Sequence, residues 1–125
     1  MILRLWSGWT EPALADAYER LLTQDIAPSI LARRVAGLQE LRVLRRSPQE
    51  LDPAKGSEFL TAMTFTDFAA VAAFTGGDPS TSVVPPAARD LLGRFDRQSR
   101  HYLSRAVFPE GHGRPHGRVS SLPLH

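Results

Sequence analysis

The sequence predicts an α+β domain, a four-stranded antiparallel sheet with its helices gathered on one face, in the order β-α-β-β-α-(short α)-β. Three observations predict it. Runs in which apolar side chains fall on alternating positions recur along the chain, beginning at residues 2–9, 38–46, 58–65 and 99–107. Stretches with helical spacing, bounded by capping residues, prolines and glycines, lie between the first and second of these runs and between the third and fourth. A length of 125 residues with 42% hydrophobic residues is enough to bury one modest core and too short for a second domain.

The first strand, ILRLWSGW over residues 2–9, sets Leu3 and Leu5 on one face and Ile2, Arg4 and Trp6 on the other. Thr10 is a natural N-cap for a helix beginning just after it. Glu11 suits the positive end of a helix dipole, and Pro12 is tolerated in a first turn because its missing N–H would find no partner there. Leu14, Tyr18, Leu21 and Leu22 then recur at helical spacing, with Glu11, Asp16, Glu19 and Arg20 largely off that stripe. Pro28 removes a backbone donor, so residues 29–33 read as a kinked continuation or as a second short helix, closed by Gly37.

Leu38–Arg46 is the second strand, with Leu41 and Val43 alternating with Arg42 and Leu44. Arg45 and Arg46 end it, facing solvent or pairing Glu58 across the hairpin. Residues 47–57, with two prolines, a glycine and several charges, are an exposed link. The third strand sets Phe59, Thr61, Met63 and Phe65 on one face and Leu60, Ala62 and Thr64 on the other, and runs straight into an alanine-rich helix. Thr66 or Asp67 caps that helix, and Gly76 and Gly77 supply the positive φ that ends it. A short helix entered through Pro85 and Pro86 carries Leu91 and Leu92 inward and stops at Gly93. Phe95 anchors the last strand, residues 99–107, which places His101, Leu103 and Arg105 on one side and Tyr102, Ser104 and Ala106 on the other. Residues 1–107 thus make the domain, and residues 108–125, rich in glycine and proline and without periodicity, make a tail.

Both faces of the strands carry apolar residues, whereas a single layer of helices covers one face only. The second face is therefore expected to meet that of a second copy, two sheets closing a barrel across a two-fold axis in a homodimer.

Charge narrows the partners. The net charge is +2, but from Arg97 onward five arginines stand against Glu110 alone, which leaves residues 1–96 at −2. A short cationic tail is common on proteins that never touch nucleic acid, so nucleic acid is not an expected partner. No apolar run approaches the roughly 20 residues of a membrane span, and the start lacks the parts of a secretory signal, so a soluble, cytoplasmic protein is expected. Cysteine is absent, which excludes a thiol nucleophile, a thiolate ligand and a disulfide framework. His112 and His116 have the spacing of zinc ligands, but Gly113, Arg114 and Pro115 do not form the helix that presents such a pair, and no metal site is expected.

Taken together, MILRLWSGWT, ADAYERLL, the LRRS end of the second strand, EFLTAMTF running into DFAAVAAFTG, VVPPAARDLL and HYL resemble the antibiotic biosynthesis monooxygenase family, from about Met1 to Val107. The resemblance implies the ferredoxin-like fold, a dimeric α+β barrel, and the family's usual freedom from cofactors. Members include enzymes that oxygenate aromatic polyketides without metal or flavin, and relatives that degrade haem. The haem-degrading relatives carry a tryptophan where the strand enters the helix, a histidine near that helix's end and an asparagine on the first strand. Here the matching positions hold Phe65 and Phe74 or Thr75, and MILRLWSGW offers no clear asparagine equivalent, so haem degradation is disfavoured.

What the resemblance implies instead is a cofactor-independent monooxygenase acting on an aromatic or polyketide-like small molecule. Such chemistry needs a substrate anion, able to pass an electron to dioxygen, held in a dry apolar cleft. On that reading Trp6, Phe65, Phe68, Phe74 and Tyr102 are candidates to line the substrate pocket, His101 to take or steer the proton, and Arg34 or Arg42 to offset the anion's charge. The same aromatic side chains, at strand and helix spacing, serve equally as core, and Tyr102 points away from His101 in a regular strand. The alternative is a non-catalytic, ligand-binding or structural dimer of the same fold.

Overall fold

β1, Ile2–Thr10, lies inside the sheet with partners on both sides. The computed structural model describes residues 1–50, 52, 56–80 and 82–109. The expected tail and the pair His112 and His116 lie outside the described residues, apart from Phe108 and Pro109. On one side β1 pairs antiparallel with β3, Ser57–Phe65, over its whole length, from Ile2 opposite Phe65 to Thr10 opposite Ser57. Beyond β3 lies β2, Leu38–Arg45, also antiparallel, with a register shift at Leu38 and Glu40. On β1's other side the last strand comes in two pieces. β4, Arg94–Phe95, pairs with Gly8 and Trp9, and β5, Arg100–Leu103, pairs with Ile2 to Leu5.

The last strand expected over 99–107 is thus confined to residues 100–103, and β4 ahead of it is a separate, unexpected piece. Residues 96–99 stand opposite only Trp6 and Ser7, and they leave the ladder because other partners hold them. The Asp96 amide and carboxylate both bond the backbone of Ser7, the Asp96 carbonyl accepts from Trp6 Nε1 at 2.8 Å, and the Ser99 amide donates to the Ser80 carbonyl at 3.1 Å.

The expected N-cap at Thr10 is likewise corrected. Thr10 stays in the strand, its Oγ1 buried without a hydrogen-bond partner among the described residues, and a 3₁₀ turn at Pro12–Leu14 leads from Glu11 into α1, Ala15–Leu21. Of the two readings at Pro28, the structure takes the continuation. A wide π turn, Leu22–Ile26, joins α1 to α2, Ala27–Ala32, and Ala27 N–H bonds the Leu22 carbonyl five residues back. A proline ring crowds the carbonyl four residues before it and donates nothing to it, and widening the helix just upstream relieves that crowding. The helix ends at Arg33 and Arg34, with Arg34 at φ 51°, several residues before the glycine expected to close it; Gly37, at φ 90°, instead turns the chain into β2.

α3, Phe68–Thr75, follows the expected capping. Asp67 accepts from the Ala70 amide at 2.9 Å, and Gly76 ends the helix at φ 84°. α4, Pro86–Leu91, starts from an extended Pro85. The helices pack on one face of the sheet, the α+β arrangement expected. Among the described residues no helix is long and apolar enough to cross a membrane.

The buried interior has two parts. Under α1 and α4, Tyr18 and Phe59 meet edge to face at 5.0 Å, with Leu22, Ala88 and Leu92 around them. Under α3, Phe65 and Phe74 approach to 5.9 Å beside Ile2, Met63 and Val71. Arg45 ties the edge of the sheet to α1 through Asp16 at 2.8 Å and Glu19 at 3.0 Å, and this pairing lowers the Asp16 pKa. Arg46 pairs Glu58 at 3.1 Å, as expected across the hairpin. Exposed pairs of this kind fix geometry more than they add stability.

Candidate functional site

Between the two halves of the core, sheet and helices do not close completely. A cavity of about 60 Å³ lies there, its wall drawn from both halves, and it meets open solvent. That is well under the roughly 150 Å³ of an apolar cavity that admits benzene, so the enclosed space by itself is smaller than an aromatic ring needs. The strands supply the floor through Trp6, Leu41, Val43, Thr61 and Met63. The wide turn and α2 supply Ile26, Ala27 and Ile30, and Phe74, Val83 and Val84 complete the wall. The lining is mostly apolar because β1, β2 and β3 turn the same alternating set of residues toward the helices.

Among the described residues one group in that wall is ionic. Arg4 stands on the helix-facing side of β1, between Ile2 and Trp6, and is 3% exposed. Its Nη1 donates to the Pro79 carbonyl at 2.5 Å and to His101 Nε2 at 2.9 Å, and its guanidinium lies 5.5 Å from the centre of the Phe74 ring. Burial pulls its pKa down to about 10. A fall of that size means that the charged form is disfavoured, relative to water, by on the order of 3 kcal/mol.

A guanidinium only donates, so His101 must accept through an unprotonated Nε2 and carry its proton on Nδ1. Burial first, and the Arg4 charge second, hold the His101 pKa below the ordinary histidine value, which favours this neutral form. Opposite Arg4 on β5, the imidazole packs 5.6 Å from the Phe68 ring. It does not line the cavity. Tyr18 does, and burial pushes its hydroxyl pKa up to about 12, so the phenol stays neutral.

The structure divides the residues that the sequence offers as a site. Trp6 and Phe74 line the cavity. Phe65 is fully buried behind Phe74, as core. Phe68 is 46% exposed, and Tyr102 is 50% exposed, paired with Leu3 on the opposite face of the sheet from His101. Arg34 is exposed at the end of the helix. Arg42, between the two cavity residues Leu41 and Val43, points the other way and pairs Glu40 at 3.0 Å. The cation at the cavity is Arg4 instead. Its signal is present in the alternation, an arginine on the strand face otherwise given to Ile2 and Trp6.

The fold and this cavity define the class, a ferredoxin-like α+β domain with an apolar site between its sheet and its helices. A solved structure described as an antibiotic biosynthesis monooxygenase is similar to this chain, with a TM-score of 0.51 and 16% sequence identity, over 86% of this chain and 99% of that one. Protein SO0527 from Shewanella oneidensis aligns with a TM-score of 0.46 and 17% identity, over 81% of this chain and 87% of its own. At 16% identity the likeness to the first of these is one of fold. No family model matches the chain, and no curated protein matches it.

Proposed function

We propose that the protein is a small, cytoplasmic, homodimeric monooxygenase that needs no cofactor and acts on an aromatic molecule, with residues 1–107 as the working domain. The observation that carries this reading is the apolar cavity between sheet and helices, walled by Trp6 and Phe74, in a chain that shares its fold with an antibiotic biosynthesis monooxygenase. The enclosed space is smaller than a single ring needs, so on this reading an aromatic substrate extends into the open mouth or the α2 wall moves outward.

The reaction balances with dioxygen alone. An acidic C–H of the substrate loses its proton to water at the cavity mouth, and the carbanion gives one electron to dioxygen. The substrate radical and superoxide combine, and protonation gives a hydroperoxide. Loss of water from it leaves a carbonyl, so that one oxygen atom ends in the product and the other in water. The apolar wall favours this sequence by keeping the anion and the radical pair away from bulk solvent. His101, the candidate for proton transfer, acts on this reading by holding Arg4 in place, since it touches Arg4 and not the cavity.

The test is oxygen uptake with an anthrone and a hydroquinone as probes. Uptake that falls at least tenfold in Trp6→Ala is expected, and uptake no faster than in buffer with both probes counts against turnover. The second reading, a non-catalytic ligand-binding dimer, is favoured by one observation: among the described residues the cavity lining has no carboxylate or imidazole to act as a base.

A further inference from the structure

We infer that the groove between the end of α4 and β4 is a binding site for a small polyphosphate, free or carried by an ester such as a nucleoside diphosphate, and that Arg89, Arg94 and Arg97 are the residues that hold it. The inference stands apart from the reading of the apolar cavity, since among the described residues Val84 alone lines both spaces.

Three observations carry it. The groove is open to solvent and measures about 570 Å³, and its described lining holds three exposed arginines and no aspartate or glutamate. None of the three has a carboxylate partner among the described residues, whereas Arg42, Arg45, Arg46 and Arg100 each pair with one. Of the acids next to them in sequence, Asp90 lines no part of the groove, and Asp96 already gives its carboxylate to the Ser7 amide and to Arg100. Two of the guanidiniums are also held in place with donors to spare. Arg94 lies over Trp9, 3.9 Å from the ring centre, a contact that needs no hydrogen-bond acceptor. Arg89 spends Nε on the Val84 carbonyl at 3.2 Å and lies 5.9 Å from the centre of the Phe95 ring, and its Nη groups make no hydrogen bond among the described residues.

Three like charges around one space repel each other, and an anion seated among them offsets that repulsion while it is attracted by each. Guanidinium N–H groups come in flat pairs whose spacing matches two oxygens of a phosphate, which gives direction as well as attraction. A single carboxylate engages one such fork. A pyrophosphate group has charge and acceptor oxygens enough for three. Because the rings of Trp9 and Phe95 already restrain Arg94 and Arg89, less side-chain freedom is lost when the anion arrives. The groove also falls within the roughly 300–1,000 Å³ of small-molecule sites, which leaves room beside the phosphates for a group they esterify. The cations are gathered at one end of α4 and β4 and do not form a track, so they suit a compact ligand better than a strand of nucleic acid.

The experiment is calorimetric titration of the intact chain with pyrophosphate, ADP, citrate and a short oligothymidylate, at an ionic strength of about 0.15 M so that diffuse surface attraction is screened. Pyrophosphate is expected to bind at least tenfold more tightly than citrate. That affinity is expected to fall at least tenfold in each of Arg89→Gln, Arg94→Gln and Arg97→Gln, and less than twofold in Arg20→Gln, which removes the same charge from an exposed site on α1. Arg97→Gln preserves the test if Arg94→Gln, which loses the contact with Trp9, does not fold. Among outcomes that support the inference, ADP binding more tightly than pyrophosphate assigns the site to the ester, and ADP binding no more tightly assigns it to the free polyphosphate. Citrate binding as tightly as pyrophosphate overturns the phosphate class. Equal losses in all four variants overturn the groove as the site, and oligothymidylate binding more tightly than pyrophosphate and ADP overturns the small-ligand assignment. No heat from pyrophosphate or ADP at millimolar concentration overturns the inference outright and leaves the reading of the apolar cavity standing.

Discussion

Asp96 grips Ser7 by both of its backbone groups: the Asp96 amide donates to the Ser7 carbonyl at 2.9 Å, and the Asp96 Oδ2 accepts from the Ser7 amide at 2.9 Å. The same carboxylate receives Arg100 Nη1 at 2.8 Å, while the Asp96 carbonyl receives the Trp6 indole and the Ser82 hydroxyl. One residue thus holds the last strand to β1 where the ladder is interrupted, and it fixes Trp6, a wall of the cavity. Asp96→Ala leaves the half-buried Ser7 amide and Arg100 without their shared acceptor. It is expected to cost about 1–3 kcal/mol of stability, read from urea denaturation. A loss under about 0.5 kcal/mol would mean that water replaces the carboxylate freely.

His101 gives the fold an acid-sensitive step. Its pKa is lowered from the ordinary 6.5 by burial and by Arg4, so the unfolded chain binds a proton more readily than the folded one. Stability is therefore highest above about pH 6.5, falls as pH drops through that value and stops falling from this cause below the folded pKa. Wild-type urea midpoints measured between about pH 7.5 and pH 5 should fall more steeply than those of His101→Gln, and parallel curves would remove histidine from the account.

Phe65 and Phe68 stand three residues apart and at opposite extremes of burial, 0% against 46% exposed. Phe65→Ala is expected to cost about 3–5 kcal/mol as a core truncation. Phe68→Ala should cost under about 1 kcal/mol, since much of that ring is already in water. Denaturation curves for the two variants that coincide would contradict this packing.

The sheet face away from the helices presents Leu3 and Leu5 on β1, Leu60 and Ala62 on β3, Leu44 on β2 and Tyr102 on β5. If a second copy covers that face, as proposed, the wild-type protein sediments as a dimer at micromolar concentration and Leu5→Glu as a monomer. A wild-type monomer at that concentration would sink the proposal.

Much of this architecture can be read from alternation and capping. The helix-facing set on β3, the Asp67 cap, the Gly76 stop and the pairing of Arg46 with Glu58 all follow from residues close in sequence or directly opposed in a hairpin. The features that escape such reading are set by contacts between distant segments. Nothing local in RFDRQSRHYLSRAV marks Arg94–Phe95 as a piece of strand; it is placed there by the contacts that Asp96 and Ser99 make with Ser7, Ser80 and Ser82. The cavity depends on how far the helices stand from the sheet, which no periodicity encodes. Arg34 and Arg42 suggest themselves as cations at the site by residue type, while Arg4 already stands on the right face. An arginine amid an apolar stripe is the informative anomaly.

The two-piece final strand bears on how the protein stays a discrete particle. An uninterrupted outer strand offers a row of unsatisfied backbone groups onto which another chain can add, and addition of this kind propagates without limit. Here that rim presents only two residues and then four, separated by a segment already occupied with Asp96 and Ser99. The opposite rim, β2, carries Glu40, Arg42 and Arg45, so like rims meet with charge against charge. Lateral growth of the sheet is discouraged on both sides, so the pairing proposed through the broad face would not compete with open-ended growth along the edges.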